Sequence, residues 1–144
     1  MAGWTLALLI PTVMNATPKL SYAEAYQKSV ETNKPLVILI GADWCVACDT
    51  FKQNTIAELK RDGALDGVVY TTVDLDKEND IASKLMRGDK VPQLLVFHRS
   101  PAGWQKQHMV GLSTQAAVRA ALKTATEGQL QQQKLLRPPL EKME

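Results

Sequence analysis

The chain has 144 residues, enough for one domain around a single core, and at 45% hydrophobic and 22% charged it has the composition of an ordinary soluble globular protein. A net charge of +2, with no run of Lys and Arg interleaved with aromatics, argues against nucleic acid as a partner. Two cysteines are too few for a disulfide-stapled scaffold.

Leu6 to Met14 is mostly apolar but far too short to span a bilayer, so no stable membrane insertion is expected. Ala16 stands where a leader would be cleaved, whereas Gly3 and Trp4 give no basic start and Pro11 interrupts the run. Residues 1–20 are read either as a signal-peptide remnant or as an extra N-terminal element. The first reading puts the mature protein outside the cytoplasm.

Ser21 and Glu24 form the pattern of a capping box, and Tyr22, Tyr26 and Val30 follow at helical spacing, which predicts an amphipathic helix from Ser21 to about Asn33. Lys34-Pro35 stops it. The unbroken apolar run Leu36 to Ile40 predicts a central strand buried on both faces. A second helix starts near Cys45, with Phe51, Thr55, Ile56 and Leu59 on its inner side, and Asp62-Gly63 closes it. Val68 to Leu75 reads as a strand and Asp76 to Met86 as a helix ended by Arg87-Gly88-Asp89. Gln93 to Phe97 and Trp104 to Val110, joined by Ser100-Pro101-Ala102-Gly103, predict an antiparallel hairpin. After Gly111, Ser113 is the expected cap of a last helix whose inner face carries Val118, Ala121, Leu122 and Ala125. From Glu127 the composition turns polar, and residues 127–144 are read as a tail of low order or a late helical extension. This order of elements predicts a mixed sheet with helices on both faces.

Chemistry concentrates in Ala42-Asp43-Trp44-Cys45-Val46-Ala47-Cys48. A strand that ends in Cys-x-x-Cys opening a helix sets a thiol at the positive end of the helix dipole, where the reactive thiolate is favoured. One thiolate attacks a disulfide, and a second sulfur within reach must release the product. Cys45, nearer the helix start, is assigned the attack and Cys48 the resolving step. Asp43 and Asp49 oppose thiolate formation and Lys52 favours it, each by less than about 1 kcal/mol in high dielectric, so the thiol pKa stays open. Zinc is not expected. Two cysteines with His98 and His108, candidate cross-strand neighbours, lack the spacing of a finger. A purely structural disulfide is disfavoured because so short a loop gains little chain entropy. Val91-Pro92 offers a bond that is cis at modest cost, or an ordinary trans proline opening a strand.

Trp-Cys-x-x-Cys after an apolar strand, Val91-Pro92 before the hairpin, and a glycine before the last helix resemble the thioredoxin superfamily over about Ser21 to Ala125. The stretch Ala42 to Cys48 most resembles the thioredoxin-like domain of DsbD-type periplasmic thiol:disulfide interchange proteins. The resemblance implies a thioredoxin-like three-layer α/β/α domain over residues 21–126, with a central mixed sheet of about four strands and four flanking helices. It implies an exposed Cys45, a buried Cys48, Pro92 in the cis form beside them, and a backbone at Val91 that pairs with an incoming substrate strand. Trp44 is then an apolar wall beside the disulfide, where the plainer alternative is a core aromatic. Three departures stand out: Leu39 replaces the buried aspartate of ordinary thioredoxins, Val68 to Val73 lacks the lysine that partners it, and Val46-Ala47 replaces Gly-Pro. They argue against the duty of a cytoplasmic thioredoxin.

The expected function is a monomeric thiol–disulfide oxidoreductase without cofactor or metal, acting as a reductase on protein disulfides and served by an upstream thiol reductant or oxidant. Its expected location is periplasmic or secreted, with the cytoplasm as the alternative. The competing reading is a non-catalytic thioredoxin-like binding module, motivated by Leu39 and the polar C-terminal stretch.

Overall fold

The computed structural model describes residues 18–137. The possible signal remnant up to residue 17, and residues 138–144 of the polar stretch, lie outside the described residues.

Helix α1 (Tyr22–Thr32) is capped by Ser21, whose hydroxyl accepts the Glu24 N–H while the Glu24 carboxylate accepts the Ser21 N–H at 2.8 Å. The inner face differs from the expected one. Ala25 and Ser29 are buried with Tyr22 partly so, whereas Tyr26 and Val30 are exposed. Tyr26 instead stacks between Tyr22 and Trp104, with ring centroids 6.5 and 6.4 Å away. Small Ala25 lets the helix sit close on the sheet, and the Ser29 hydroxyl is satisfied by the Lys34 carbonyl at 2.6 Å.

Strand β1 (Leu36–Gly41) is buried throughout and lies at the centre of a four-stranded sheet of order β2-β1-β3-β4. It pairs in parallel with β2 (Val69–Asp74) and antiparallel with β3 (Gln93–Ser100), which forms a hairpin with β4 (Gly103–Val110). Strand β3 runs three residues beyond the expected Phe97, because the ladder continues to a Ser100–Gly103 pair with Gly103 at φ +100°. His98 and His108 are not cross-strand neighbours; His98 faces Gln105 and His108 faces Leu95.

The second helical segment is one run in three parts: α2 (Val46–Phe51), a π-helical turn (Lys52–Ile56) and α3 (Ala57–Arg61). The wide turn advances the inner face by one residue, so Phe51, Ile56 and Leu59 are buried while Thr55 is only partly covered. Helix α4 (Asn79–Leu85) starts three residues later than expected. The Asp74 carboxylate accepts the N–H groups of Asp76 and Lys77 at 2.9 and 3.0 Å and holds residues 74–78 in a turn. Helix α5 (Gln115–Leu136) is capped by Thr114 rather than Ser113, since the Thr114 hydroxyl is the one that accepts the Ala117 N–H. It continues past residue 127 as the helical extension. Buried Gln129 anchors it by accepting the Arg99 N–H at 2.7 Å and donating to Asn33.

Alternation along the strands divides the core into two layers. Val37, Leu39, Leu94 and Val96 meet Phe51, Ile56, Leu59 and the Val118–Ala125 face of α5. Ile38, Ile40, Val69, Val73 and Leu95 meet α1 and α4 on the other side. The result is a three-layer α/β/α fold.

Candidate active site at the Cys45–Cys48 disulfide

Strand β1 and strand β2 are parallel, so their C-terminal ends lie together, with Gly41 opposite Asp74. The loops leaving these two ends, and the loop entering β3, build the site. Cys45 is the N-cap residue of α2. Its N–H donates to the Ala42 carbonyl at 3.1 Å, and its Sγ accepts the Cys48 N–H at 3.1 Å. The sulfur therefore occupies the place of a capping oxygen, facing the unpaired amides of the first turn. Cys45 and Cys48 are joined as a disulfide with Cα atoms 5.2 Å apart.

The expectation of an exposed Cys45 needs correcting. Cys45 is 5% exposed and Cys48 0%, so the order of access is as expected but the margin is narrow. The cover comes from Ala42, Ala47, Leu75 and Val91, which pack with the two cysteines as a small apolar cluster. Val91 is thus beside the disulfide, and the Val91–Pro92 bond is cis. Pro92 is buried, and its carbonyl accepts the Gly111 N–H at 2.8 Å, which ties the proline to the end of β4. Trp44 is 64% exposed, so it is not a core aromatic. Its indole N–H donates to the Asp76 carboxylate at 2.8 Å. Leu39 is fully buried in the layer that holds Phe51 and Val118, and no carboxylate hydrogen-bonds to either cysteine among the described residues.

The flanking charges are organised by the loop after β2. Lys77 donates to Asp43, and its ammonium also stands 3.9 Å from Asp74. The bond to Asp43 raises the Lys77 pKa, and the Lys77 backbone N–H lowers that of Asp74. Asp43 is thereby paired, which weakens its opposition to a thiolate at Cys45. Both partners are exposed, so the effect is small.

Sequence reasoning brought Cys45, Cys48, Val91 and Pro92 together but missed Gly41, Leu75, Asp76 and Lys77. The signal for the last three was topological, since a loop after a strand parallel to β1 must emerge at the same end of the sheet. Among the described residues no group of His, Cys, Asp and Glu is arranged to hold a metal. A groove of about 760 Å³ lies elsewhere, along the edge of β2, and none of the expected site residues lines it.

A disulfide closed across the first turn of a helix, at the C-terminal end of a central strand and beside a cis proline, defines a thioredoxin-type redox-capable centre. The family model for thioredoxin-like proteins matches residues 16–98, more than half of the chain, and the chain belongs to that family. Among curated proteins no sequence matches. Solved structures that resemble it include oxidised mitochondrial thioredoxin 3 of Saccharomyces cerevisiae, at 22% identity and a TM-score of 0.56, covering 74% of this chain and 92% of that one. A thioredoxin of Thermus thermophilus matches at 15% identity and a TM-score of 0.60, covering 72% and 82%. A thioredoxin of Malassezia sympodialis matches at 26% identity and a TM-score of 0.53, covering 65% and 76%.

Proposed function

We propose that the chain is a thiol–disulfide oxidoreductase that reduces protein disulfides outside the cytoplasm, in the manner of DsbD-type interchange domains. The observation that carries this reading is the Cys45–Cys48 pair, with Cys45 Sγ as the helix cap and Val91-Pro92 packed beside it. In the reduced form the Cys45 thiolate attacks one sulfur of a substrate disulfide, forming a mixed disulfide and expelling the other substrate sulfur as a thiolate. Cys48, once deprotonated, then attacks Cys45 Sγ, releases the second substrate thiolate and re-forms the intramolecular disulfide. Two electrons pass to the substrate, and a thiol reductant must return them. The amides of the first turn stabilise the Cys45 thiolate, and Cys48, fully buried, is kept from outside disulfides.

Extended substrate backbone is proposed to pair at Val91, with Trp44 and Val46, 64% and 78% exposed, as apolar ground beside it. The reducing direction and the location rest on the Ala-Asp-Trp-Cys-Val-Ala-Cys resemblance. The narrow exposure of Cys45 favours one competing reading, a binding module whose cysteines are incidental.

Insulin reduction under dithiothreitol separates the two. The wild type is expected to accelerate precipitation and Cys45→Ser to abolish the acceleration. Equal rates for the two proteins would remove the catalytic reading.

A further inference from the structure

Gln93 opens β3 directly after Pro92 and is 0% exposed. An amide in a strand whose next three residues are buried and apolar is costly unless its hydrogen bonds are made. All of them are. Nε2 donates to the carbonyls of Arg87 at 2.9 Å and Lys90 at 2.7 Å. Oε1 accepts the Arg87 N–H at 3.0 Å and lies 2.6 Å from His108 Nε2 on β4. The bonding pattern allows one amide orientation, because exchanging O and N would set an NH₂ group against the Arg87 N–H. It also assigns the His108 proton to Nε2.

The segment 87–91 contains Gly88 at φ +66° and makes no backbone–backbone hydrogen bond among the described residues. The hydrogen bonds that hold it come from the Gln93 side chain. We infer that Gln93 is a positioning residue. It fixes the loop Arg87–Val91 against the sheet so that Val91 presents its backbone beside Cys45 to an extended polypeptide carrying a disulfide. His108 locks Gln93 from the neighbouring strand. This inference rests on the oxidoreductase reading for its substrate and on geometry alone for the loop.

Gln93→Leu, nearly isosteric, leaves the Arg87 N–H, the Arg87 and Lys90 carbonyls and the His108 Nε2–H without this partner. Hydrogen exchange of the Arg87 amide, the N–H of the loop that Gln93 Oε1 accepts, is expected to accelerate about tenfold or more while β1 amides stay protected. His108→Leu gives the same change at smaller size and carries the test should Gln93→Leu fail to fold. With insulin as substrate, KM is expected to rise about fivefold, the equivalent of one lost hydrogen bond, with kcat changed far less. Activity on a small aromatic disulfide, which has no strand to pair, falls less than activity on insulin. Unchanged exchange of the Arg87 amide overturns the loop assignment whatever the kinetics. A loosened loop with unchanged insulin KM overturns the substrate role. A wild type inactive on both disulfides removes the oxidoreductase reading and the substrate role with it, and the exchange data still decide the loop.

Discussion

Gly41 and Cys48 meet where the central strand hands over to the helix: a Cβ placed at Gly41 would stand 3.2 Å from both the Cβ and the Sγ of Cys48. This is tight enough that one of them must move. Gly41→Ala is therefore expected to displace the resolving sulfur. Overpacking of this size costs about 1 kcal/mol or more of stability. The sharper readout is the mixed disulfide, which should persist longer on a non-reducing gel than in the wild type. Equal lifetimes would show that Cys48 tolerates the methyl group.

Trp44 is held by one bond, from its indole N–H to Asp76 across the mouth of the site. Asp76→Ala should free the ring with little effect on stability, within about 0.5 kcal/mol, because both groups are exposed. Time-resolved fluorescence anisotropy, with Trp4 and Trp104 replaced by Phe, should report faster motion of the remaining indole. An unchanged decay would mean that packing, not Asp76, sets its orientation.

Gly128 lies within α5, where alanine is the better helix former by about 1 kcal/mol. The structure predicts the opposite outcome for Gly128→Ala. The new Cβ would stand 2.7 Å from Cδ2 and 2.8 Å from Nε2 of His98, so the imidazole, 5% exposed on β3, would have to shift. A net loss of about 1–2 kcal/mol is expected in urea unfolding. A gain in the midpoint would count against this packing.

Both histidines are held below the ordinary histidine value, His98 by burial and His108 by burial first and then by the charges of Arg87 and Lys106. A base with a depressed folded pKa binds its proton more readily when unfolded. Its contribution to stability is complete above about pH 6.5 and is lost as pH falls from there towards the folded pKa. The carboxylates lowered by their partners, Glu24, Asp62 and Asp74, act below about pH 4.5, so the two windows separate. The urea midpoint should fall between pH 7 and pH 5, and replacing both histidines with Asn should flatten that slope. A wild-type midpoint constant over the range would contradict it.

The chain alone determined what is written within a turn or two of backbone. The Ser21–Glu24 capping box, the buried run of β1, the Cys45–Cys48 spacing and the Val118–Ala125 face of α5 each follow from local hydrogen bonding or apolar period, and each is where the sequence puts it. Tertiary structure decided the rest, because distant residues meet by strand register and helix placement. Parallel pairing sets Gly41 opposite Asp74 and so delivers Asp76 to Trp44 and Leu75 to Cys45. The hairpin register carries His108 to Gln93, and the π turn shifts the inner face from Thr55 to Ile56. Local pattern gives no warning of these contacts, since the energy that selects them is gained only when the whole sheet has closed over its core.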